Sequence, residues 1–200
     1  MNHSIREFLD PHDRTIVQRM PDSSTPFVRL DRAHELMSRL VEGRITGPDF
    51  EPRRQVLLLL QTLGELSCTV NAPDAGAARW CNASDDLLNV LLICADLSAH
   101  YEIAPYDATE WPDHTRIGGD GAHSAEHDSH HLLAEVVEAA GWVAEWVLRR
   151  TEAVDTASLE PPLSWLIAVP TTELIARTWC LTDRWNLRDT VAAAIRDQLG

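Results

Sequence analysis

Two apolar segments decide the fold of this chain: VLLLLQTLGELSCTV at residues 56–70 and ASDDLLNVLLICADL at residues 83–97. In both segments the polar residues recur every three, four or seven positions, which is the spacing of one face of an α-helix. The other positions are mostly apolar, so we expect both helices at the centre of the protein. No run of the chain alternates polar and apolar residues as a half-buried strand does. The sequence therefore predicts an all-α fold.

The rest of the chain extends this prediction to a single helical domain over 1–200, a bundle of about six to eight helices. Proline, glycine and polar runs mark the breaks between helices. Three core helices are expected over about 52–71, 84–102 and 124–150, the second capped by Ser84, with a loop over 72–82 and a long polar loop near 103–122. Two earlier helices are expected over about 4–20 and from Asp31 to just before Gly43. Pro170 is expected to help divide a C-terminal extension, about 158–199, into helices near 163–168 and 171–181 and a last helix from Asp183 or Asn186 to Leu199.

Charge and cysteine content narrow the function classes. All 17 basic residues are arginine, against 31 acidic residues, and the segment 101–145 holds ten acidic residues with Arg116 as its sole arginine. This balance disfavours binding to a nucleic-acid backbone. The start of the chain has no apolar leader and no stretch is long enough to span a membrane, so we expect a cytoplasmic protein. No CxxC pair occurs, and Cys68 and Cys94 lie within apolar runs, as buried free thiols usually do.

Each of the two central helices carries one polar stripe. The stripe of the first helix contains Glu65, and the stripe of the second contains Asp86, Asn89, Asp96 and His100. If adjacent antiparallel helices turn such stripes toward each other, the opposed carboxylates form the oxygen-rich site that Mg²⁺ or Mn²⁺ prefers. The alternative is that these residues are polar only because they lie at the solvent-exposed edges of two amphipathic helices.

These two segments resemble the MazG-like all-α nucleotide pyrophosphohydrolases, whose signature places Glu-x-x-Glu on one helix and Glu-x-x-Asp on the next. The corresponding pairs here are Thr62-x-x-Glu65 and Asp86-x-x-Asn89, with 20 residues between them. The resemblance covers about residues 52–100, and Thr62 and Asn89 replace two of the expected acidic ligands.

The resemblance implies Glu65 and Asp86 as catalytic residues and Glu65, Asp86 and Asn89 as ligand positions for Mg²⁺ or Mn²⁺. Asp96 or Asp85 is expected to substitute for a replaced ligand if the helix geometry allows it. The resemblance also implies a nucleotide ligand, a bundle that is often dimeric or tetrameric, and release of pyrophosphate from a nucleoside triphosphate. Because two acidic ligands are replaced, the alternative is that this chain keeps the fold of the family without its catalytic activity.

A histidine-rich segment supports a different hypothesis. His123, His127 and His131 follow each other at i, i+4, which can place two imidazoles near one Zn²⁺ or Ni²⁺ ion. The stretch HDSHHLLAEVVEAAG is similar to the HxxxH helix of DinB-type metal-binding bundles, which implies a third, distant ligand. The helical wheel puts His127 and His131 on the polar face, so a solvated or pH-responsive surface remains the alternative.

A non-catalytic hypothesis comes from two tryptophans. Trp142 and Trp146 are spaced i, i+4 on the same polar face as Glu138 and Glu145. Tryptophan on an outward face is typical of a subunit contact or a ligand groove. The sequence therefore also allows an acidic helical protein-protein interaction module or a homo-oligomer without catalysis.

Overall fold

Six α-helices make up the fold in the computed structural model, which describes residues 26–71, 76–103, 125–152 and 163–200, with side chains over 33–71, 80–103, 129–150 and 166–200. No strand occurs among these residues, so the all-α prediction is confirmed, and six helices agree with the predicted six to eight. The helices are α1 (Pro26–Glu42), α2 (Pro52–Asn71), α3 (Gly76–His100), α4 (Ala125–Glu152), α5 (Leu163–Arg184) and α6 (Arg188–Leu199).

Four of the helices form a ring. α2 packs against α3 and α4, and α5 packs against the same two helices from the opposite side. Phe50, just before α2, stacks on His100 at the end of α3, and Arg150 near the end of α4 lies over the ring of Tyr101. The start of α2 and the ends of α3 and α4 therefore meet at one end of the bundle, and α2 runs antiparallel to both neighbours.

The core of this ring is mainly apolar, with a few buried serine and threonine side chains, and α1 and α6 extend it over one side. Both α1 and α6 pack against α3 and α5, and against each other. The largest fully buried side chains include Leu59 and Leu66 of α2, Leu91 of α3, and Trp179 of α5. α2 and α3 are thus central, as their apolar sequences predict.

Two helices end in the same hydrogen-bonded turn. After α3, Glu102 adopts φ 54°, and the Ile103 N–H donates to the Ser98 carbonyl at 2.8 Å. After α5, Asn186 adopts φ 59°, and the Leu187 N–H donates to the Thr182 carbonyl at 2.8 Å. A left-handed residue followed by a buried apolar residue is the Schellman arrangement, which uses helix carbonyls that would otherwise lack partners.

Two predicted helix starts are wrong. α3 begins at Gly76, eight residues before Ser84, so the helix includes most of the predicted 72–82 loop. Ser84 does not cap this helix, because its hydroxyl donates back to the Cys81 carbonyl at 2.8 Å from within the helix. α1 begins at Pro26 and not at Asp31, and a proline suits a first helical position because the N–H it lacks has no partner there. The bounds predicted for α2 and α4 agree with the structure to within two residues.

The predicted division of the C-terminal extension at Pro170 is also wrong, because α5 continues through this residue. Buried residues on both sides of Pro170, such as Ile167 and Leu174, belong to the same core. Their burial offsets the roughly 3 kcal/mol that an interior proline costs a helix. The Thr171 hydroxyl also donates to the Ile167 carbonyl at 2.7 Å in the turn next to the proline. The helix predicted over 4–20 and the loop predicted near 103–122, apart from Ile103, lie outside the described residues.

Among the described helices, none combines the length and the apolar character that crossing a membrane requires.

Candidate functional site: the acidic edge between α2 and α3

The α2–α3 interface places two of the predicted site residues at its edge. The buried side of α2 includes Leu63, Leu66 and Thr62, which is 8% exposed. Glu65 follows on the adjacent flank and is exposed, while Asp86 of α3 is half-buried. The stripes predicted from the sequence therefore lie beside the seam between the two helices, with Thr62 turned into it.

Glu65 and Asp86 interact electrostatically across this seam. Burial raises the pKa of the Asp86 carboxyl, and the nearby charges of Glu65 and Asp85 raise it further. Glu65 is held in place by Gln61, whose Nε2 donates to Glu65 Oε1 at 2.9 Å. Two carboxylates that repel each other in this way are stabilised by a proton or by a bound cation.

The four predicted metal ligands do not all lie close to one another. Asn89 is exposed one turn after Asp86 on α3, so its amide oxygen can approach the same ligand. Asp96 lies ten residues beyond Asp86, or about 15 Å along the helix axis. It forms an ion pair with Arg44, with 3.4 Å between Arg44 Nη1 and Asp96 Oδ1. The structure brings Glu65 and Asp86 together, leaves Asn89 one turn farther along α3, and places Asp96 too far from Asp86 for the two to share an ion.

Within the part of the chain that the structure describes, no group of three histidine, cysteine, aspartate or glutamate side chains is placed to hold a metal ion. No third acidic, histidine or cysteine side chain among these residues is therefore placed to share an ion with Glu65 and Asp86. Proteins often hold Mg²⁺ through one or two carboxylates while water and substrate phosphates complete its shell.

The surroundings of Asp96 form a second polar cluster that sequence spacing does not predict. The His100 ring contacts the Phe50 ring at a tilt, with 4.7 Å between centroids, and meets the Tyr101 ring edge to face at 4.8 Å. Arg44 Nη2 and Tyr101 Oη are buried without a hydrogen-bond partner among the described residues. Burial lowers the pKa of His100, and the positive charge of Arg150 lowers it further. The residues come from four separate parts of the chain, so no local motif signals this cluster.

A third polar network joins α4 and α5, and no spacing in the sequence predicts it. Arg177 of α5 donates to the Glu135 carbonyl at 3.0 Å and pairs with Glu173. Its Nη1 also lies 3.7 Å from Glu138 Oε2. Because one arginine satisfies groups on both helices, we interpret this network as a structural link between α4 and α5.

Of the three histidines predicted to bind a metal, only His131 has a described side chain. His131 is exposed and its Nε2 lies 3.4 Å from Glu135 Oε1 on the same helix. His123 and the side chain of His127 lie outside the described residues. His131 therefore has a carboxylate partner within α4, and the Zn²⁺ or Ni²⁺ hypothesis remains a prediction.

The two tryptophans differ in their environment. Trp142 is 51% exposed, whereas Trp146 is half-buried against the core and Arg149 lies 5.0 Å above its ring. The outward position predicted for Trp142 is confirmed. Trp146 serves mainly as packing at the α4 surface.

All four cysteines are free thiols. Cys94 is buried as predicted, but Cys68 is exposed, because it lies on the outer flank of α2 although its sequence neighbours are apolar. Burial raises the pKa of Cys180 to about 11, so this thiol stays protonated at neutral pH.

Comparison of the chain with family models, with curated proteins and with solved structures gives no match.

Proposed function

We propose that the acidic edge formed by Glu65, Asp86 and Asn89 binds Mg²⁺ or Mn²⁺ together with the phosphates of a nucleotide, as in a relative of the MazG-like pyrophosphohydrolases. The observation that carries this proposal is the charge interaction between Glu65 and Asp86, which come from different helices. A cation would relieve that repulsion and would be held by carboxylate oxygens, which Mg²⁺ and Mn²⁺ prefer.

The residues around the seam have separate roles in this proposal. Glu65 and Asp86 supply negative charge, Gln61 orients Glu65, and Asn89 adds a neutral oxygen. When bound, the cation would polarise a phosphate and favour attack by water, with pyrophosphate as the product released. Because the buried Thr62 stands where the family carries an acid, we expect the cation to bind weakly alone and more tightly with a nucleotide.

The test combines binding with turnover. Thermal unfolding is measured with Mg²⁺ or Mn²⁺, with and without each common nucleoside triphosphate, and pyrophosphate release is followed in parallel. We expect a nucleotide and cation together to raise the melting temperature of the wild type, and Glu65→Gln and Asp86→Asn to abolish that rise. Asp49→Asn, an exposed change at the far end of the seam, is the matched control and should bind as the wild type does. No response in the wild type, or equal responses in all variants, would refute the proposal.

A second candidate function is an acidic protein-protein contact at Trp142, favoured by the exposure of that side chain on α4. Alanine at Trp142 should then weaken capture of a partner or self-association without changing the fold. Both candidates suit a cytoplasmic protein, because the exposed free thiols Cys68 and Cys81 are typical of a reducing compartment.

A further inference from the structure

The polar cluster around Asp96 lies at the end of the bundle where α2 begins and α3 and α4 end. We define this end cluster as Arg44, Asp96, His100, Tyr101 and Arg150. Asp96 is its single carboxylate, and Arg44 Nη1 lies 3.4 Å from Asp96 Oδ1. The other four side chains are guanidinium, imidazole and phenol groups, all of which donate hydrogen bonds. The end cluster therefore offers more donors than its one carboxylate can accept.

Two of these donors are buried without an acceptor. Arg44 Nη2 and Tyr101 Oη are both closed off from solvent, and neither has a hydrogen-bond partner among the described residues. A buried donor left in this state costs about 1–3 kcal/mol, and folded proteins contain few such groups. A ligand that brings acceptor oxygens to this place would remove that cost.

The end cluster is positively charged although the chain as a whole has a net charge of −14. Arg44 offsets the charge of Asp96. Arg150 lies over the Tyr101 ring, 5.5 Å from its centroid, and forms no ion pair within the described part of the chain. Burial and the charge of Arg150 lower the pKa of His100, so its imidazole is neutral at pH 7. Two guanidinium charges thus face one carboxylate, and the remaining positive charge attracts an anion.

Other charges at this end of the bundle lie on the exposed rim. The carboxylates of Asp49, Glu51 and Glu102 are exposed, and Arg53 and Arg54 in the first turn of α2 offset two of their three charges. Charges in contact with solvent are screened by water and salt, so they affect a buried contact less than the end cluster does. The rim therefore leaves the preference of the end cluster for an anion in place.

We propose that the end cluster binds a phosphate group, held by the guanidinium groups of Arg44 and Arg150, the imidazole of His100 and the hydroxyl of Tyr101. These donors come from a loop, from α3 and from α4, so they approach from several directions. The oxygens of a phosphate point in several directions and accept from all of them, whereas a carboxylate has two oxygens in one plane. Arg150 can leave the Tyr101 ring to reach the phosphate without breaking an ion pair among the described residues.

Side-chain donors are essential to this proposal, because the helix ends at this place do not favour an anion. α3 and α4 both end here, and the C-terminal end of a helix carries partial negative charge. The Ile103 N–H already occupies the Ser98 carbonyl in the turn after α3, which reduces that charge. Phe50 packs against His100 and shields the end cluster from water on one side, which strengthens each contact to a bound phosphate.

The phosphate site is separate from the cation site proposed at Glu65 and Asp86. His100 lies 14 residues beyond Asp86 on α3, which is about 21 Å along the helix axis. A phosphate held by the end cluster is therefore too far away to share an ion with Asp86. The phosphate site thus does not depend on the proposed function, and either proposal can fail while the other holds.

Titration with inorganic phosphate, followed by the backbone amide signals at constant ionic strength with EDTA present, tests the site. We expect saturable shifts around 44–50, 96–103 and 147–150 with half-saturation near about 1 mM, and about tenfold weaker binding of acetate. Arg150→Gln should weaken phosphate binding about tenfold, and Arg150→Lys should weaken it less because the charge remains. Tyr101→Phe should weaken it about threefold, yet without phosphate this variant should melt no lower than the wild type, because the lost hydroxyl has no partner.

Two controls and two further probes complete the test. Arg196→Gln, an exposed change in the last turn of α6, is the matched control for Arg150→Gln and should bind phosphate as the wild type does. Asp86→Asn should also keep phosphate binding, which separates this site from the cation site. Titration with AMP and with glycerol phosphate distinguishes a nucleotide from a small ester as the source of the group, and shifts at the end cluster with either one support the site.

Four results would overturn the proposal. The first is a wild type without saturable shifts, or with shifts centred outside the end cluster. The second is an equal response to acetate. The third is that Arg150→Gln and Tyr101→Phe both bind phosphate as the wild type does. The fourth is a Tyr101→Phe variant that melts lower than the wild type without phosphate, because the hydroxyl would then already have a partner.

Discussion

Glu65 on α2 and Asp86 on α3 lie close enough across the α2–α3 interface for their charges to interact. Burial raises the pKa of Asp86, and Glu65 and Asp85 raise it further, so the folded protein holds this carboxylate under repulsion. A protein tolerates such repulsion at a cost in stability unless a ligand relieves it. The pair is therefore the point at which stability, pH and cation binding should be linked.

Asp86→Asn is expected to raise the melting temperature at neutral pH. The pKa of Asp86 is raised above the ordinary value of 3.8, so the folded state is penalised at pH values where the carboxyl is ionised. The penalty disappears as the pH falls through the folded-state pKa, and below 3.8 both states are protonated. Thermal unfolding of both proteins between pH 3 and pH 7 should show a difference that shrinks toward acid.

Asp49→Asn provides the comparison, since Asp49 is exposed in the turn before α2. The melting temperature of Asp49→Asn should equal that of the wild type throughout the pH series. If Asp86→Asn destabilises the protein at pH 7, the carboxylate is held by a favourable contact and the interpretation of repulsion is wrong.

Glu102→Gly is expected to stabilise the protein by about 1 kcal/mol, because Glu102 adopts φ 54° at the end of α3 and glycine takes that conformation without strain. For a chain of this size the melting temperature should rise by about 2–4 °C. Glu35→Gly, at an exposed position inside α1, should lower the melting temperature. A loss of stability in Glu102→Gly would show that the glutamate side chain matters more than its backbone conformation.

The thiols should separate into two classes. Cys68 and Cys81 are exposed, whereas Cys94 is buried and burial raises the pKa of Cys180 to about 11. A thiol reagent at pH 7.5 should therefore modify two cysteines quickly and the other two only after unfolding, with peptide mass spectrometry identifying the sites. Rapid labelling of Cys94 in the folded protein would contradict the placement of α3 in the core.

Two neighbouring leucines on α2 should respond very differently to truncation. Leu59 is fully buried, so Leu59→Ala is expected to cost about 2–5 kcal/mol in the free energy of unfolding. Leu58 is partly exposed at the surface, so Leu58→Ala should cost less than about 1.5 kcal/mol. Urea unfolding measures both values, and equal losses would mean that α2 is rotated from its position in the structure.

Much of the fold could be predicted from helical periodicity, because the apolar faces of α2 and α4 follow one spacing from end to end. Ser84 and Pro170 misled the prediction for the same reason. Each is a common boundary residue, but tertiary packing decides whether the helix continues past it. The exposure of Cys68 depends on which flank of α2 faces its neighbours, which composition does not reveal.

The candidate site was partly predictable. The pairing of Glu65 with Asp86 follows from two stripes on adjacent antiparallel helices. The distance of Asp96 from Asp86 follows from ten residues of helix rise. Its ion pair with Arg44 was not predictable, because Arg44 lies 52 residues earlier and is brought near by the packing of α1 on α3. The link from Arg177 to Glu135 spans 42 residues between α5 and α4, and no spacing rule connects two such positions.

The most direct test of a cation site at Glu65 and Asp86 is a titration with Mn²⁺, in the presence of a nucleoside triphosphate, followed by paramagnetic broadening of the backbone amide signals. Amides around 61–69 of α2 and 82–90 of α3 should broaden first in the wild type and stay sharp in Asp86→Asn. Broadening that begins around His131 or His100, or no broadening at saturating Mn²⁺, would contradict the proposed site.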